Sequence, residues 1–427
     1  MTEPPDSRTL HVLVVGGGGR EHALAWACRR SPRVTRVTCA PGNAGTLLVG
    51  ENRAVAATDA AGLVALARTE GVDLVVLGPD AAVAAGVGDA LEGAGIRCFG
   101  PGRDAGRLES SKIFAKQVMQ RAGVATPGFA SFSDHPRALE HLRHRGAPVV
   151  VKADGLALGK GAFVCRTREE AEAALDLLLL RGALGPAGAT VLIEDCLQGE
   201  EASFFAICDG ESAVMLPPAR DYKRAFDQDR GGNTGGMGGY APAPPEGWPE
   251  LNQRVRQEVV EPTLKEMVRL GTPYRGCLYV GAMLVGRQIQ VLEFNARFGD
   301  PETEVQLPLL PDPLPLLWQS ALGQLDLPDP EPLAGACVGV VAAREPYPAA
   351  VETGGEVLGI AAAEELGCLV FHMGTRPGAG GTVEVGGGRV LICTAVGADQ
   401  VAARRQAYSG LAAISFAGMR YRHDIGA

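Results

Sequence analysis

Four stretches of the chain combine residue types that can handle phosphate, a divalent cation or a carboxylate. The first is Gly16-Gly17-Gly18-Gly19-Arg20-Glu21-His22, directly after the apolar run Leu10–Val15. Backbone N–H groups at a helix start attract phosphate, and glycine lets a ligand come close. Reading Gly16 as the first glycine of a dinucleotide fingerprint puts Glu21 where the third belongs, so that fingerprint is incomplete. Arg20 favours an anion, and His22 is expected to orient the turn. A glycine turn that merely packs its helix fits the same residues.

The second stretch runs from Val149 to Gly161. Lys152 follows three valines and precedes a loop with Gly155, Gly159, Gly161 and a second lysine, Lys160. A lysine at the end of a buried strand can neutralise polyphosphate while such a loop closes over it. The spacing is not that of a Walker A loop. A solvated turn explains Lys160 well and Lys152 poorly, because a buried strand does not need a lysine.

The third is Val291-Leu292-Glu293-Phe294-Asn295-Ala296-Arg297. Alternation in a strand places Glu293, Asn295 and Arg297 on one side, with Leu292 and Phe294 toward the core. A carboxylate and an amide oxygen form a hard-oxygen set suited to Mg²⁺ on phosphates. The polar face of an edge strand would read the same way. The turn Phe298-Gly299-Asp300-Pro301-Glu302 follows, with Pro301 placed for a helix start. The fourth stretch pairs Asp221-Tyr222-Lys223-Arg224 with Asn233-Thr234-Gly235-Gly236-Met237-Gly238. Small residues with free N–H groups can form an anion nest, although a plain surface loop has the same composition.

The elements that must position these residues follow from hydrophobic periodicity. Leu10–Val15 and Asp73–Leu77 read as buried strands alternating with helices over Glu21–Arg30, Asp59–Glu70 and Ala81–Gly93, which implies a parallel sheet covered on both faces. Helices are expected over Ser110–Ala122 and Pro136–Arg145, and a strand over Pro148–Val151. Thr167-Arg168-Glu169-Glu170 is a capping box opening a helix to about Leu180. Strands follow at Thr190–Glu194 and Glu201–Cys208. Pro217–Trp248, with six glycines between Gly231 and Gly239, reads as a functional loop. A long helix is expected over Asn252–Leu270, then a hairpin of Cys277–Val285 and Gln288–Asn295 around Gly286-Arg287. The proline-rich stretch Pro311–Pro332 suggests a boundary. Beyond it lie strands near Val338–Ala343, Leu369–His372 and Val390–Ala395 and a helix near Asp399–Ala413.

Composition narrows the class. The 427 residues carry 40 basic and 49 acidic side chains, a net charge of −9. That argues against a general nucleic-acid binder, which needs a basic footprint, but leaves room for a small anionic substrate in a local pocket. Ten scattered cysteines contain no C-x-x-C pair, so a zinc cluster or disulfide framework is not expected and a reducing cytoplasm fits. Neither a signal peptide nor a membrane span is indicated.

Taken in order, the motifs resemble the glycinamide ribonucleotide synthetase (phosphoribosylamine–glycine ligase) family of the ATP-grasp superfamily. The matching stretches are GGREHALAW at Gly18–Trp26, APGNAGT at Ala40–Thr46, LESSK at Leu108–Lys112, VKADGLALGKG at Val151–Gly161, GEEAS at Gly199–Ser203, NTGGMG at Asn233–Gly238, EFNARFGDPE at Glu293–Glu302 and GGRVL at Gly387–Leu391. The resemblance implies an α/β and α+β multidomain chain. It would have an N-terminal parallel-sheet domain over 1–108, residues 1–9 being a disordered extension. A two-lobed ATP-grasp core over 109–331 would follow, with a mobile lid at about 124–195, and then a mostly β domain over 332–427.

The same resemblance implies ligation of glycine to 5-phosphoribosylamine through a glycyl phosphate, with ATP as co-substrate and Mg²⁺ or Mn²⁺ as cofactor, in de novo purine synthesis. It places ATP at Lys112, Lys152, Gly155, Gly159, Gly161, Glu194 and Glu201, and the metal at Glu293 and Asn295. Arg297 and Lys152 would be catalytic. Substrate groups are expected at Gly17, Gly18, Gly19 and Arg20, at Asp221 and Lys223, at Asn233, Thr234, Gly235 and Gly236, and at Asp300, Pro301 and Glu302. A cytoplasmic monomer or weak homodimer with only small-molecule partners is expected, without nucleic acid or membrane. The chain departs from the family pattern at Gly232, where the loop usually has proline, at Asp80, one methylene shorter than the usual glutamate, and at Asp195 in the hinge. Rival readings are another ATP-grasp carboxylate–amine ligase, a dinucleotide-binding oxidoreductase, and an inactive ATP-binding module.

Overall fold

The computed structural model describes residues 9–157, 161–244 and 247–427. Residues 1–8 of the expected extension, and Gly159 and Lys160 of the lysine loop, lie outside the described residues.

The N-terminal strands are β1 (Leu10–Gly16), β2 (Val34–Pro41), β3 (Glu51–Asn52), β4 (Leu74–Leu77) and β5 (Cys98–Phe99). They form one parallel sheet in the order β3-β2-β1-β4-β5, as the alternating pattern requires. β1 is buried along its whole length. The glycine turn leaves its carboxyl end, where the strand order reverses. That crevice is the usual ligand position in open α/β sheets. The helix expected over Ala81–Gly93 is broken into Asp80–Ala84 and Val87–Gly93. The break falls at Gly86, whose φ of 77° only glycine adopts easily.

A second sheet is antiparallel and lies in the stretch expected as the lid. Its strands are β6 (Phe129–Phe132), β7 (Val149–Ala153), β8 (Ala162–Cys165) and β9 (Val191–Asp195), in the order β6-β9-β7-β8. Helices His135–Arg145 and Arg168–Leu175 cover it over a core that includes Leu142, Val151, Leu175 and Ile193. Thr167 and Glu170 cap the second helix reciprocally. It continues as a π turn over Asp176–Leu180, close to the expected end.

The base is a four-stranded antiparallel sheet of β10 (Glu200–Gly210), β11 (Ala213–Met215), Tyr274–Val285 and Gln288–Asn295. Its last two strands are the expected hairpin. Helices Lys112–Ala122 and Glu261–Arg269 pack over it with Phe204, Leu278 and Phe294. The long helix expected over Asn252–Leu270 starts at Trp248 and contains a π segment, Arg256–Val260. The Pro311–Pro332 stretch is more ordered than its prolines suggest. It holds the helix Leu314–Leu322, whose Leu314, Leu316, Leu317 and Trp318 join the core that includes Phe205 and Phe99.

The last sheet centres on Ala336–Arg344 and Arg389–Gly397, flanked by Leu369–His372. Part of the stretch read as a glycine loop belongs here. Gly238–Ala241 pairs antiparallel with Ala336–Arg344, and Arg220–Asp221 pairs with Gly238–Ala241. Glycines give no hydrophobic period to read. The strand exists because a neighbouring edge accepts it: Gly238 lies against the Gly339 carbonyl, which a Cβ would strike at 2.5 Å.

Candidate active site

The lid and base meet at a bulge. Gly281 pairs with Glu293 and Ala282 with Val291, so Leu292 is the extra residue. The slip moves the inward face from Ile289 and Val291 to Phe294 and Ala296, and it turns Glu293 and Asn295 together to the other side. The shared face of Glu293 and Asn295 is the one expected. Leu292, expected in the core beside Phe294, is instead the half-buried bulge residue. Its carbonyl, released from the ladder, accepts from Lys152 Nζ at 3.1 Å.

Lys152 and Glu194 lie diagonally across neighbouring lid strands, with Nζ 2.9 Å from Oε2. Lys116 Nζ approaches the same oxygen at 3.3 Å. Glu194 is 1% exposed, and its other oxygen, Oε1, has no hydrogen-bond partner among the described residues. Lys112 Nζ reaches the Gly155 carbonyl at 3.5 Å. Asp154, two residues after Lys152, accepts from Ser111 Oγ at 3.1 Å and from the Ile113 N–H at 2.8 Å. The start of the glycine loop is thereby fixed to the N-terminus of helix Lys112–Ala122. Gly155 packs where a Cβ would meet Ala187 Cα at 2.8 Å, and the Gly161 carbonyl accepts from the Ala153 N–H at 2.7 Å.

Charge converges on Glu293. Burial pushes its carboxyl up, but Lys223, Lys152, Lys112 and Arg297 outweigh that and hold it below the usual range. Arg297 is itself anchored: Nη2 lies 3.0 Å from Glu109 Oε1 and 3.2 Å from Asn295 Oδ1. Glu109 Oε2 accepts from the Ala296 N–H at 2.8 Å. Asn295 thus has one oxygen lone pair committed and a second available. Lys223 Nζ lies 4.0 Å from Asp221 Oδ1 and 3.4 Å from Glu201 Oε2, and Asp221 pushes the lysine well above its ordinary value. Burial pushes Asp221 up. Glu302 is buried, accepts from Tyr279 Oη at 2.7 Å, and is pushed up to about 7 by burial and then by Asp221.

A second group of the expected residues gathers around the first glycine turn. Gly17 fits against the Gly42 carbonyl, where a Cβ would sit at 2.6 Å. Glu21 Oε2 accepts from the Gly18 N–H at 2.6 Å, so the residue standing where the third glycine belongs caps the helix start. Asn43 Nδ2 donates to the carbonyls of Gly17 and His372, at 3.0 and 2.7 Å. His22 Nδ1 accepts from the His372 N–H at 2.9 Å, which ties the helix to the strand Leu369–His372. Arg20 is buried, with Nε on Glu21 at 2.6 Å and Nη1 on the Phe298 carbonyl at 3.1 Å. Its guanidinium braces the turn against the Asp300 segment. A Cβ on Gly18 would lie 3.6 Å from Asp300 Oδ2. Pro301 caps the short helix Glu302–Gln306.

Of the two readings left open for Asn233–Gly236, an anion nest or a plain loop, the hydrogen bonds favour the loop. The N–H groups of Thr234, Gly235 and Gly236 donate to the Lys223 carbonyl, Tyr347 Oη and Thr234 Oγ1, at 2.7, 3.0 and 3.0 Å. The loop spends its donors on its own shape. Arg389 holds it from behind, donating to the Gly235 carbonyl at 2.7 Å and pairing with Asp300 Oδ1 at 2.7 Å. Arg389, Lys116, Glu109, Asp154 and Tyr279 were not singled out from the sequence. Arg389 lies in the GGRVL motif and Asp154 in the lysine loop, but Lys116 and Tyr279 have no local signal.

A lysine-bearing antiparallel lid facing a base sheet with a carboxylate–amide pair defines an ATP-grasp architecture. Three family models match the chain: the N domain of phosphoribosylglycinamide synthetase over residues 10–109, its ATP-grasp (A) domain over 110–303 and its C domain over 337–427. The chain belongs to this family. It is 45% identical to the phosphoribosylamine–glycine ligase of Nostoc sp., covering 98% of this chain and 99% of that one. It is 46% identical to that of Caulobacter vibrioides, covering 98% of each. A crystal structure of phosphoribosylamine–glycine ligase from Thermotoga maritima superposes with a TM-score of 0.85 at 33% identity, covering 97% of this chain and all of that one. The biotin carboxylase domain of 2-oxoglutarate carboxylase from Hydrogenobacter thermophilus shares the fold, with a TM-score of 0.74 at 17% identity over 97% of this chain and 92% of that one.

Proposed function

We propose that the junction of lid and base is the ATP site of a ligase that joins glycine to 5-phosphoribosylamine. The enzyme forms a C–N bond in purine biosynthesis. In the first step a glycine carboxylate oxygen attacks the γ-phosphorus of ATP, the bond to the β-phosphate oxygen breaks, and ADP leaves. In the second the amine of phosphoribosylamine attacks the acyl carbon of glycyl phosphate. Phosphate departs, and the nitrogen loses a proton to give glycinamide ribonucleotide.

Phosphoryl transfer needs positioning and charge neutralisation more than a nucleophilic side chain. Lys152 suits this: an ammonium has three N–H donors, and among the described residues two are engaged, by Glu194 and the Leu292 carbonyl. Lys112 approaches the same loop from the base, and Glu194 and Glu201 are assigned to the nucleoside. Arg297, held by Glu109, is assigned to the charge on the transferred phosphoryl group. Among the described residues no group of three His, Cys, Asp or Glu could hold a metal ion. Glu293 and Asn295 offer two oxygens on one face, which fits a cation whose other ligands are phosphate oxygens and water. Such a cation, Mg²⁺ or Mn²⁺, would neutralise phosphate charge. Asp221 and Lys223 are assigned to glycine, with Glu302 behind them. Gly17–Arg20 and Asp300–Pro301 are assigned to phosphoribosylamine, the Asn233–Gly236 loop closing that side. Gly155, Gly159 and Gly161 belong to the loop that keeps water from the acyl phosphate.

We divide the chain into 1–108, 109–331 with a lid at about 124–195, and 332–427, and assign a cytoplasmic monomer or weak homodimer. Among the described residues no helix is long and apolar enough to cross a membrane. The observation that carries the reading is the bulge at Leu292. It sets Glu293 and Asn295 on one face and receives the lid lysine in the same place. The test is ADP release in a coupled assay with ATP, glycine and freshly made phosphoribosylamine, with and without Mg²⁺. Release that ignores glycine or phosphoribosylamine would refute it.

A further inference from the structure

Lys116 stands outside every role assigned above, yet it is among the most completely buried side chains of the chain. It projects from helix Lys112–Ala122, which belongs to the base. Its Nζ donates to Thr126 Oγ1 at 2.7 Å and lies 3.3 Å from Glu194 Oε2. Thr126 lies where the chain enters the lid, just before β6, and Glu194 where it leaves, near the end of β9. One ammonium therefore touches both crossings.

The entry crossing is also tied to the bulged strand. Thr126 Oγ1 donates to the Val291 carbonyl at 2.7 Å, and the Val291 N–H donates to the Ala125 carbonyl at 2.8 Å. Both bonds fall one residue before Leu292, whose carbonyl receives Lys152. The path from Lys116 runs through Thr126 to the bulge, and through Glu194 to Lys152. Both routes end on the same catalytic lysine.

We infer that Lys116 is a positioning residue for ATP: it fixes the two lid crossings and shares the carboxylate of Glu194, so that Lys152 keeps a donor free for phosphate. The inference rests on the reading of this junction as the ATP site. Without Lys116, Glu194 is left buried with a single cation. The pair with Lys152 must then tighten, and the lysine is drawn toward the carboxylate and away from the nucleotide. Glu194 Oε1, the unpartnered oxygen, loses its fixed direction as well.

The charge state of Lys116 gives a readout that packing alone would not. Burial pushes its ammonium down to about 8, with Lys152 acting in the same sense and Glu194 and Glu293 against it. Among the described residues the Phe129 ring, 6.0 Å away, also faces it. Above that pH the shared arrangement loses its second cation.

The test uses Lys116→Met, which keeps the length and removes the charge, and Lys116→Arg, which restores it. For Lys116→Met we expect the KM for ATP to rise roughly tenfold or more, with those for glycine and phosphoribosylamine changed less than about twofold. The fall of kcat/KM for ATP near pH 8 should disappear in Lys116→Met, and in Lys116→Arg it should move to higher pH while ATP affinity largely recovers. An unchanged KM for ATP with the limb still near 8 would overturn the inference. So would a parallel rise for all three substrates, which marks a merely structural role. Should Lys116→Met fail to fold, Thr126→Val cuts one route alone, and there an unaltered KM for ATP is the overturning result. Wild-type ADP release that depends on glycine and phosphoribosylamine tests the underlying reaction separately.

Discussion

Arg389 and Asp300, 89 residues apart in sequence, form an ion pair with Nη1 2.7 Å from Oδ1. The pair joins the C-terminal sheet to the turn that follows the strand Gln288–Asn295. The same guanidinium reaches the Gly235 carbonyl at 2.7 Å and the Asp300 carbonyl at 3.3 Å. Beneath it lies Glu304, fully buried with neither carboxyl oxygen hydrogen-bonded among the described residues, and pushed well above the ordinary range by burial and then by Asp300. Arg389 pairs with Asp300 and, together with Arg20, offsets Glu304.

Arg389→Ala should therefore destabilise the fold and impair phosphoribosylamine use together. Breaking a buried pair costs about 3–5 kcal/mol. The side chains of Arg389 and Asp300 keep 19% and 14% exposure, so the low end is expected. Thermal unfolding and the KM for phosphoribosylamine check this. A variant with wild-type melting and wild-type KM would rule it out.

Glu293→Ala should abolish ligation with the fold intact. The carboxylate lies among Lys223, Lys152, Lys112 and Arg297, and its removal leaves those cations without their shared anion. Turnover is expected to fall by roughly a thousandfold or more, and raising the Mg²⁺ concentration should restore little of it. Circular dichroism establishes that the variant is folded. Near-normal turnover would remove Glu293 from the metal site.

Lys152→Ala should weaken ATP binding by roughly a hundredfold, because two partners lose their cation at once. Glu194 is left to Lys116, and the Leu292 carbonyl loses its donor. Calorimetric titration with a non-hydrolysable ATP analogue measures this directly. Nucleotide affinity equal to wild type would contradict the placement of Lys152 on phosphate.

Much of this site was legible in the sequence, for identifiable reasons. Lys152 after three valines and Glu293 two residues before Asn295 are local signals, which strand alternation converts into geometry. The bulge was not legible: a slip at Leu292 has no residue signature, and it is set by the pairing of Gly281 with Glu293. Lys116 read as an ordinary helix residue because its partners, Thr126 and Glu194, are supplied by two other elements. Asn233–Gly236 stayed ambiguous for the opposite reason. Its composition suggested free N–H groups, and only the fold shows that Lys223, Tyr347 and Thr234 accept from them.

The pH dependence of stability should carry the mark of Glu302, whose carboxyl is pushed from 4.5 up to about 7. Between those values the folded chain holds a proton there that the unfolded chain has lost. The stability linked to this group is full below about 4.5 and falls as pH rises toward 7, by on the order of 3 kcal/mol. Glu302→Gln keeps the shape and removes the titration. Its melting temperature should vary less between pH 5 and 7 than that of the wild type; equal slopes would exclude the assignment.

The pairing of Gly238–Ala241 with Ala336–Arg344 bears on how the polypeptide can be cut. A severed C-terminal piece beginning near residue 332 would leave the amide row of its central strand bare, inviting self-association. The matching half would lose the template that keeps its glycine segment extended. Short insertions are better placed at Gly146 or Gly271, where a Cβ would meet nothing within 4 Å.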